Sequence, residues 1–336
     1  MRNKFLLVIL TIALVGSIAY PQVTKKGQVG FRFLENPVSA EVMGRGGVGI
    51  TTTLNSNGIF WNPALIGWLD KNVDVSLNHT SGIADINYNA IAAAVNAWDF
   101  GVVGISFLTM DYGDFYGTRR ADNEQGYIET GTFSPTAFAL GIAFSQKVTD
   151  RFSYGVHVKY VYQNLGDAWV SSIDSVLSTR KYESSKISSL PLAVDVGAYY
   201  DFMYNGIRFA AVLQNISREF RYENTDFPMP FAVSFGVTVE PLNFFYEESK
   251  EHHFLLAFES RHPRDFGEKT KYGAEYQYMD MFTARVGYQN NFDERGLTFG
   301  AGFKYEVSNL PLRVDYAYEQ FEIFGGRHYL SLGVSY

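Results

Sequence analysis

The stretch Phe152-Ser153-Tyr154-Gly155-Val156-His157-Val158-Lys159-Tyr160-Val161-Tyr162-Gln163 decides the fold. Its even positions are all apolar or aromatic, whereas its odd positions are mostly small or polar. Successive side chains of a β-strand point to opposite faces, so this pattern describes a strand with one greasy and one watery side. The alternation runs for about twelve residues, while strands of soluble proteins average about five to six. A strand that crosses a bilayer at a tilt needs about nine to eleven.

The same pattern recurs along the chain. Leu297, Phe299, Ala301, Phe303, Tyr305 and Val307 oppose Thr298, Gly300, Gly302, Lys304 and Glu306. Phe231 to Val239, Phe282 to Tyr288 and Leu312 to Tyr318 alternate likewise. Aromatics such as Tyr160, Tyr162, Tyr199, Tyr200, Tyr276, Tyr278, Tyr316 and Tyr318 fall near segment ends, where an interfacial girdle places them. The spacing predicts strands near 72–80, 85–97, 98–110, 131–147, 150–165, 186–202, 205–220, 228–241, 251–262, 268–280, 281–291, 295–308, 311–323 and 327–336. The second and third alternate least cleanly. About fourteen strands, an even number, suit an all-β, closed, transmembrane antiparallel barrel with both ends on one side. Long polar connections at 111–130 and 166–185 alternate with tight ones at Ala97-Trp98, Val148-Asp150, Asp280-Met281 and Asn309-Leu310. The connection at 242–250 is longer than that rule predicts. Leu330, Leu332, Val334 and the terminal Tyr336 resemble the insertion signal of outer-membrane barrels.

Composition removes other classes. The chain has 336 residues, 46% hydrophobic and 16% aromatic, with no Cys and a net charge of −7. Without cysteine there is no disulfide framework, thiolate metal site or cysteine nucleophile. The acidic balance gives no footprint for nucleic acid. Residues 1–19 read as a secretory signal peptide: Arg2 and Lys4 precede an apolar run of about twelve residues and then Ser17-Ile18-Ala19. That run is too short to span a membrane as a helix. The product is thereby expected in the bacterial outer membrane, with outer-membrane lipid as its surroundings.

Residues 20–71 precede the barrel assigned to 72–336 and read differently, being rich in Gly, Asn, Thr and Ser. Gly44, Gly46, Gly47 and Gly49 lie in a G-x-G-x-x-G arrangement, and Trp61, Asn62, Pro63 and Ala64 follow. The strand and helix that a dinucleotide site requires around such glycines are missing from the pattern, so they are expected to serve close packing. A barrel of this width leaves a bore that side chains alone do not fill, and this segment is the expected plug.

The elements Phe33-Leu34-Glu35, Ala40-Glu41-Val42-Met43-Gly44-Arg45-Gly46-Gly47 and Trp61-Asn62-Pro63-Ala64-Leu65 resemble the N-terminal signature of the PorV/PorQ family, outer-membrane barrels related to the FadL transporters. Glu41 departs from it, standing where many relatives carry Arg. The resemblance implies a fourteen-stranded barrel with a plug and two alternative roles. One is a component of type IX-like protein secretion with machinery proteins as partners, which Trp61 and the glycines favour. The other is a FadL-like passage for a hydrophobic ligand, with an apolar pocket near Phe60, Trp61 and Leu65.

Candidate chemistry is sparse. His157, Lys159, Arg208, Glu275, Arg285, Lys304, Glu306, Arg313 and Asp315 take inward parity and read as lumen polar residues, alongside Asp195, Glu240, Glu259, Arg261 and Lys271. Mixed signs on neighbouring strands favour cross-strand pairing. His252 and His253 are adjacent on a strand, point oppositely and cannot share a metal. His79 with Ser81 and Asp85 offers residue types for a triad, but geometry rather than proximity in sequence makes one. The reading is a non-enzyme without a catalytic residue, metal site or cofactor.

Overall fold

The computed structural model describes residues 27–165, 170–173, 180–183, 191–222, 225–245, 251–293, 295–308, 310–322 and 324–336. The signal peptide read at 1–19 lies outside them, as does most of the loop read at 166–185.

The chain forms β1 (Val73–Ser81), β2 (Asn87–Asn96), β3 (Val102–Asp111), β4 (Phe115–Arg120), β5 (Tyr127–Phe133), β6 (Thr136–Lys147) and β7 (Phe152–Asn164). It continues through β8 (Val170–Ile173), β9 (Arg180–Glu183), β10 (Leu192–Asp201), β11 (Arg208–Ile216), β12 (Phe220–Tyr222), β13 (Thr225–Phe227) and β14 (Ala232–Val239). It ends with β15 (His252–Pro263), β16 (Lys269–Tyr278), β17 (Phe282–Asn290), β18 (Arg295–Val307), β19 (Leu310–Phe321) and β20 (Gly325–Ser335). Fourteen of these close into one antiparallel barrel in the order β1-β2-β3-β6-β7-β10-β11-β14-β15-β16-β17-β18-β19-β20. The seam is the β1–β20 ladder, in which Leu77 faces Leu332 and Ser81 faces His328.

Burial is inverted relative to a soluble domain. Along β7 the polar and small residues Ser153, Gly155, His157 and Lys159 are buried, while Tyr154, Val158 and Tyr162 are exposed. Ile142 is 65% exposed and Leu140 53%, whereas Asp74 and Ser153 are fully buried. A continuous apolar exterior over a polar bore is the surface a lipid-facing barrel requires. On β2 the inward face is instead Ala90, Ala92 and Ala94, because Ile59 and Ile66 pack against Ala92 and Ala94. That second apolar face blurs the alternation.

The connections differ from the reading in two places. The 111–130 stretch carries a hairpin, β4 with β5, closed by Phe115 stacked on Phe133 at 5.6 Å, so β6 starts at Thr136 rather than 131. The β16–β17 turn is centred on Met279-Asp280, with φ of 52° and 54° and Met281 N–H donating to Tyr278 O at 3.0 Å. Positive φ at both central residues is the hairpin turn whose twist matches the strands.

Residues 27–69 lie against inward-facing wall residues. The segment begins among the long loops, where Gly30 N–H donates to Pro228 O at 3.1 Å and the Phe31 ring lies 4.4 Å from that of Phe220. It descends through helical turns at Ala40–Gly44, Gly58–Trp61 and Pro63–Trp68 before entering β1 at the opposite, short-turn end. Wall glycines mark its course: Gly104 faces Ile59, Gly155 faces Pro63 and Ala64, Gly197 faces Asn62, Gly236 faces Ile50, and Gly273, Gly287 and Gly300 face Arg45, Gly46 and Gly44. At Gly287 even one methyl group would collide with the backbone of Gly46, itself at φ 71°.

Gly287→Val is therefore expected to unseat residues 44–49 at a cost of about 1–3 kcal/mol, as overpacking does. Limited proteolysis of the folded barrel should then cut within 30–70. Gly296→Ala, whose Cβ meets only Tyr288 at 3.8 Å, should leave that region protected.

Candidate functional site

Local chemistry fixes the inner segment in place. Asn62 caps the turn Pro63–Trp68, its Oδ1 accepting from Ala64 N–H at 3.1 Å, and Pro63 supplies a first helical residue that needs no donor. The Asn62 amide then donates to Ile50 O at 3.0 Å and Ala198 O at 3.2 Å, joining turn, segment and wall. Gly46 N–H donates to Thr298 Oγ1 at 3.0 Å and Gly49 N–H to Glu259 Oε2 at 3.2 Å. Lys271, buried beside Glu259, pairs with it at 2.6 Å and donates to Gly47 O at 3.0 Å. Ser145 and Ser153 both donate to Ala64 O, at 3.1 and 2.8 Å.

Several of the inward charges named from sequence gather around this segment. Arg45, only 2% exposed, pairs with Glu275 and with Glu41 at 2.9 Å; Arg285 bridges Glu275 at 2.5 Å and Asp315 at 2.6 Å. Glu41 thus acts as a counter-ion inside the bore, and Asn55 donates to it at 2.9 Å. Arg313 holds Asp74 at 2.6 Å, and Asp74 in turn accepts from Ser56 N–H at 2.8 Å.

Other residues named from sequence lie away from the inner segment, and two of them, Lys304 and Glu306, need correction. Arg208 sits at the short-turn end between Asp201 at 3.4 Å and Glu240 at 3.0 Å. Lys304 and Glu306 keep inward parity yet are exposed: β17 pairs with β18 only as far as Phe303, so beyond it the β18–β19 hairpin projects past the wall. His79 is exposed and pairs with Asn89 at 2.8 Å, so the Ser81 and Asp85 arrangement does not form. His252 pairs with Tyr276 at 2.6 Å on the outer surface, and His253 stands 3.8 Å from Asp280.

A cavity of about 480 Å³ remains between the inner segment and the wall on the loop side. Phe33, Leu34, Val38, Met43, Phe60 and Trp61 line it from the segment, and Leu108, Met110 and Ala139 from the wall. Its loop-side rim carries Arg32, Glu35, Arg261, Lys269, Asp293 and Arg295. Lys269 lies over the Phe266 and Phe292 rings at 4.4 and 4.6 Å. Arg32 pairs with Asp265 in the β15–β16 loop; burial pushes the Asp265 carboxyl above its ordinary range despite that guanidinium. Ser106, His157, Lys159 and Asp195 complete one side of the cavity. Ser106 was missed from sequence because β3 blurs the alternation, and residues 32–38 because they belong to no long element.

This barrel fold has counterparts among solved structures of transporters. The Ralstonia pickettii toluene transporter TbuX superposes with a TM-score of 0.57 at 13% identity, covering 89% of this chain and 97% of that one. The Pseudomonas putida toluene transporter TodX gives 0.57 at 12% identity, over 88% and 96%. A Pseudomonas aeruginosa FadL homologue gives 0.55 at 13%, over 90% and 98%. Residues 35–300 match the family described as "F plasmid transfer operon, TraF, protein", and the chain belongs to that family. No curated protein matches the sequence.

Glu259→Gln removes the only carboxylate paired with Lys271 among the described residues while keeping an acceptor for Gly49 N–H. Leaving a buried ammonium without its counter-ion should cost about 3–5 kcal/mol. A lowered thermal midpoint of the detergent-solubilised barrel measures it.

Proposed function

We propose that this chain is an outer-membrane channel that admits a hydrophobic small molecule from the loop side into the cavity above the inner segment, which acts as the plug. The observation that carries the reading is the cavity itself, apolar where Phe33, Leu34, Phe60, Leu108 and Met110 line it and polar at the rim and along the Ser106–Asp195 side. Pockets that take small ligands are of this kind: mostly hydrophobic, several hundred Å³, with a few fixed polar groups. The lipid-compatible exterior and the likeness in fold to solved transporters support the location, and the place of the cavity beside the long loops supports the direction of entry. Two of the similar structures are named as toluene transporters, which supports a small apolar cargo here.

A place in type IX-like secretion, with machinery proteins as partners, rests on Trp61 and the glycine motif of the PorV/PorQ resemblance. Those residues have an account in packing: Trp61 lies beside Gly49 and borders the cavity, Gly44 and Gly46 meet the wall glycines Gly300 and Gly287, and Gly47 lies beside Lys271. Among the described residues, no observation at the surface favours the secretion role over passage.

Leu108→Trp should fill the cavity without disturbing the outer face, since Leu108 is 6% exposed and lines the cavity. Cells expressing it should take up radiolabelled toluene at least about fivefold more slowly than those with the native chain, a loss of about 1 kcal/mol in binding. Unchanged uptake would overturn the reading. Deletion of residues 28–70 should raise the conductance of reconstituted liposomes, and a conductance equal to that of the intact chain would remove the plug assignment.

A further inference from the structure

Many inward polar groups of the barrel bind the inner segment; the group around Ser106 does not. Ser106 on β3, His157 on β7 and Asp195 on β10 form a continuous relay. Ser106 Oγ lies 2.8 Å from His157 Nε2, and His157 Nδ1 lies 3.2 Å from Asp195 Oδ2. All three are buried in the wall and border the cavity, so the relay faces the space a ligand would occupy. Among the described residues their hydrogen bonds go to one another, to Lys159 and to Asn215.

The register and two local features build this arrangement. His157 and Asp195 are direct partners in the β7–β10 ladder, and Ser106 is the partner of Gly141, the residue that separates it from β7. A Cβ at Gly141 would collide with His157 Nε2 and reach within 2.8 Å of Ser106 Oγ, so only glycine leaves room for the serine–histidine contact. On the far side β11 carries a bulge where its register against β10 shifts. Asn215 there adopts φ 59° and turns its backbone N–H onto Asp195 Oδ1 at 2.7 Å. Lys159 donates to Asp195 Oδ2 at 2.8 Å and to Asn215 Oδ1 at 2.6 Å. Bulges and left-handed non-glycine residues persist where the surroundings hold them, and they collect at functional sites.

The chemistry follows from the hydrogen bonds. Asp195 Oδ2 is an acceptor, so His157 Nδ1 carries the proton that it donates and Nε2 is left as a base toward the Ser106 hydroxyl. That is the order nucleophile, base, orienting carboxylate, which is recognised by geometry and role rather than by position in the chain.

We propose that Ser106, His157 and Asp195 form a luminal acyl-transfer site that cleaves esters of apolar acids entering the cavity. Ser106 Oγ attacks the ester carbonyl while its proton passes to His157 Nε2. The new bond is Oγ–C, the bond broken is that to the alcohol oxygen, and the alcohol leaves with the proton from His157. Water from the loop-side mouth then repeats the sequence, His157 taking its proton, and releases the carboxylic acid and free Ser106. Ester and water thus give acid and alcohol with no other reactant. Lys159, the cation of the group, holds Asp195 in place from the side away from Ser106.

The test uses the full chain reconstituted in vesicles and treated with an octyl fluorophosphonate, which forms an Oγ–P bond as fluoride leaves. One adduct on the peptide containing Ser106 is expected in the intact mass and the peptide map. Ser106→Ala should show none, and His157→Gln should label at least about a hundredfold more slowly, the usual span of general-base catalysis. Both variants are checked for native mobility on unboiled gels; Ser234→Ala, a buried hydroxyl outside the group, should label like the native chain. Hydrolysis of p-nitrophenyl octanoate should fall at least about tenfold in Ser106→Ala. A native chain that takes no label, or a label that survives Ser106→Ala, overturns the proposal. Neither result bears on uptake of toluene, so the channel reading stands or falls separately.

Discussion

The structure depends on the backbone of the inner segment lying directly against the backbone of the wall. Irregular chain at membrane depth is tolerated only where protein surrounds it and its N–H and C=O groups find partners. Both conditions are met by the same device. Wall glycines such as Gly155, Gly197 and Gly287 let the segment approach to main-chain distance. Neighbouring wall residues then reach its orphan groups: Thr298 accepts from Gly46, Glu259 from Gly49 and Asp74 from Ser56, while Ser145 and Ser153 donate to Ala64 O. Ala40 N–H likewise donates to Ser331 Oγ at 2.8 Å.

Much of the polar bore is thereby explained without a pathway for ions. Glu275, Arg285, Asp315 and Arg45 neutralise one another in a place where an unpaired charge would be costly. Such a network contributes little net stability compared with an apolar core, but it binds the segment in one register, since a shift would strand several charges together. The cavity lies where this contact ends, between the loop-side stretch 31–38 and the wall. There the segment offers Phe33, Leu34 and Phe60 rather than backbone, and the wall answers with Leu108, Met110 and Ala139.

Alternation of the kind seen at Phe152–Gln163 was enough to place all fourteen barrel strands, because one face had to meet lipid and any slip of one residue would invert it. It was blurred where the inner face was also apolar, as on β2 with its three alanines, since their inward partners include Ile59 and Ile66 of the inner segment. The loop hairpins were not legible, because β4 and β5 are held by their own pairing and a Phe115–Phe133 stack rather than by a buried face. Lys304 and Glu306 show the converse error: parity gives direction, but only the ladder length of the neighbouring strand tells whether there is still a wall.

The luminal relay marks the limit of such reading most sharply. His157, Lys159 and Asp195 were visible as inward charges, yet their grouping follows from ladder registers between strands far apart in sequence. Ser106 joins them because Gly141 lacks a side chain, and the second oxygen of Asp195 is held because β11 bulges at Asn215. Neither a glycine nor an asparagine in a strand announces a neighbour. A purely structural pair would need no more than Lys159 beside Asp195 to settle the charge. A serine on the other imidazole nitrogen, at the border of a cavity, adds nothing to that neutrality, and it is this surplus that gives the cluster a chemical rather than a structural logic.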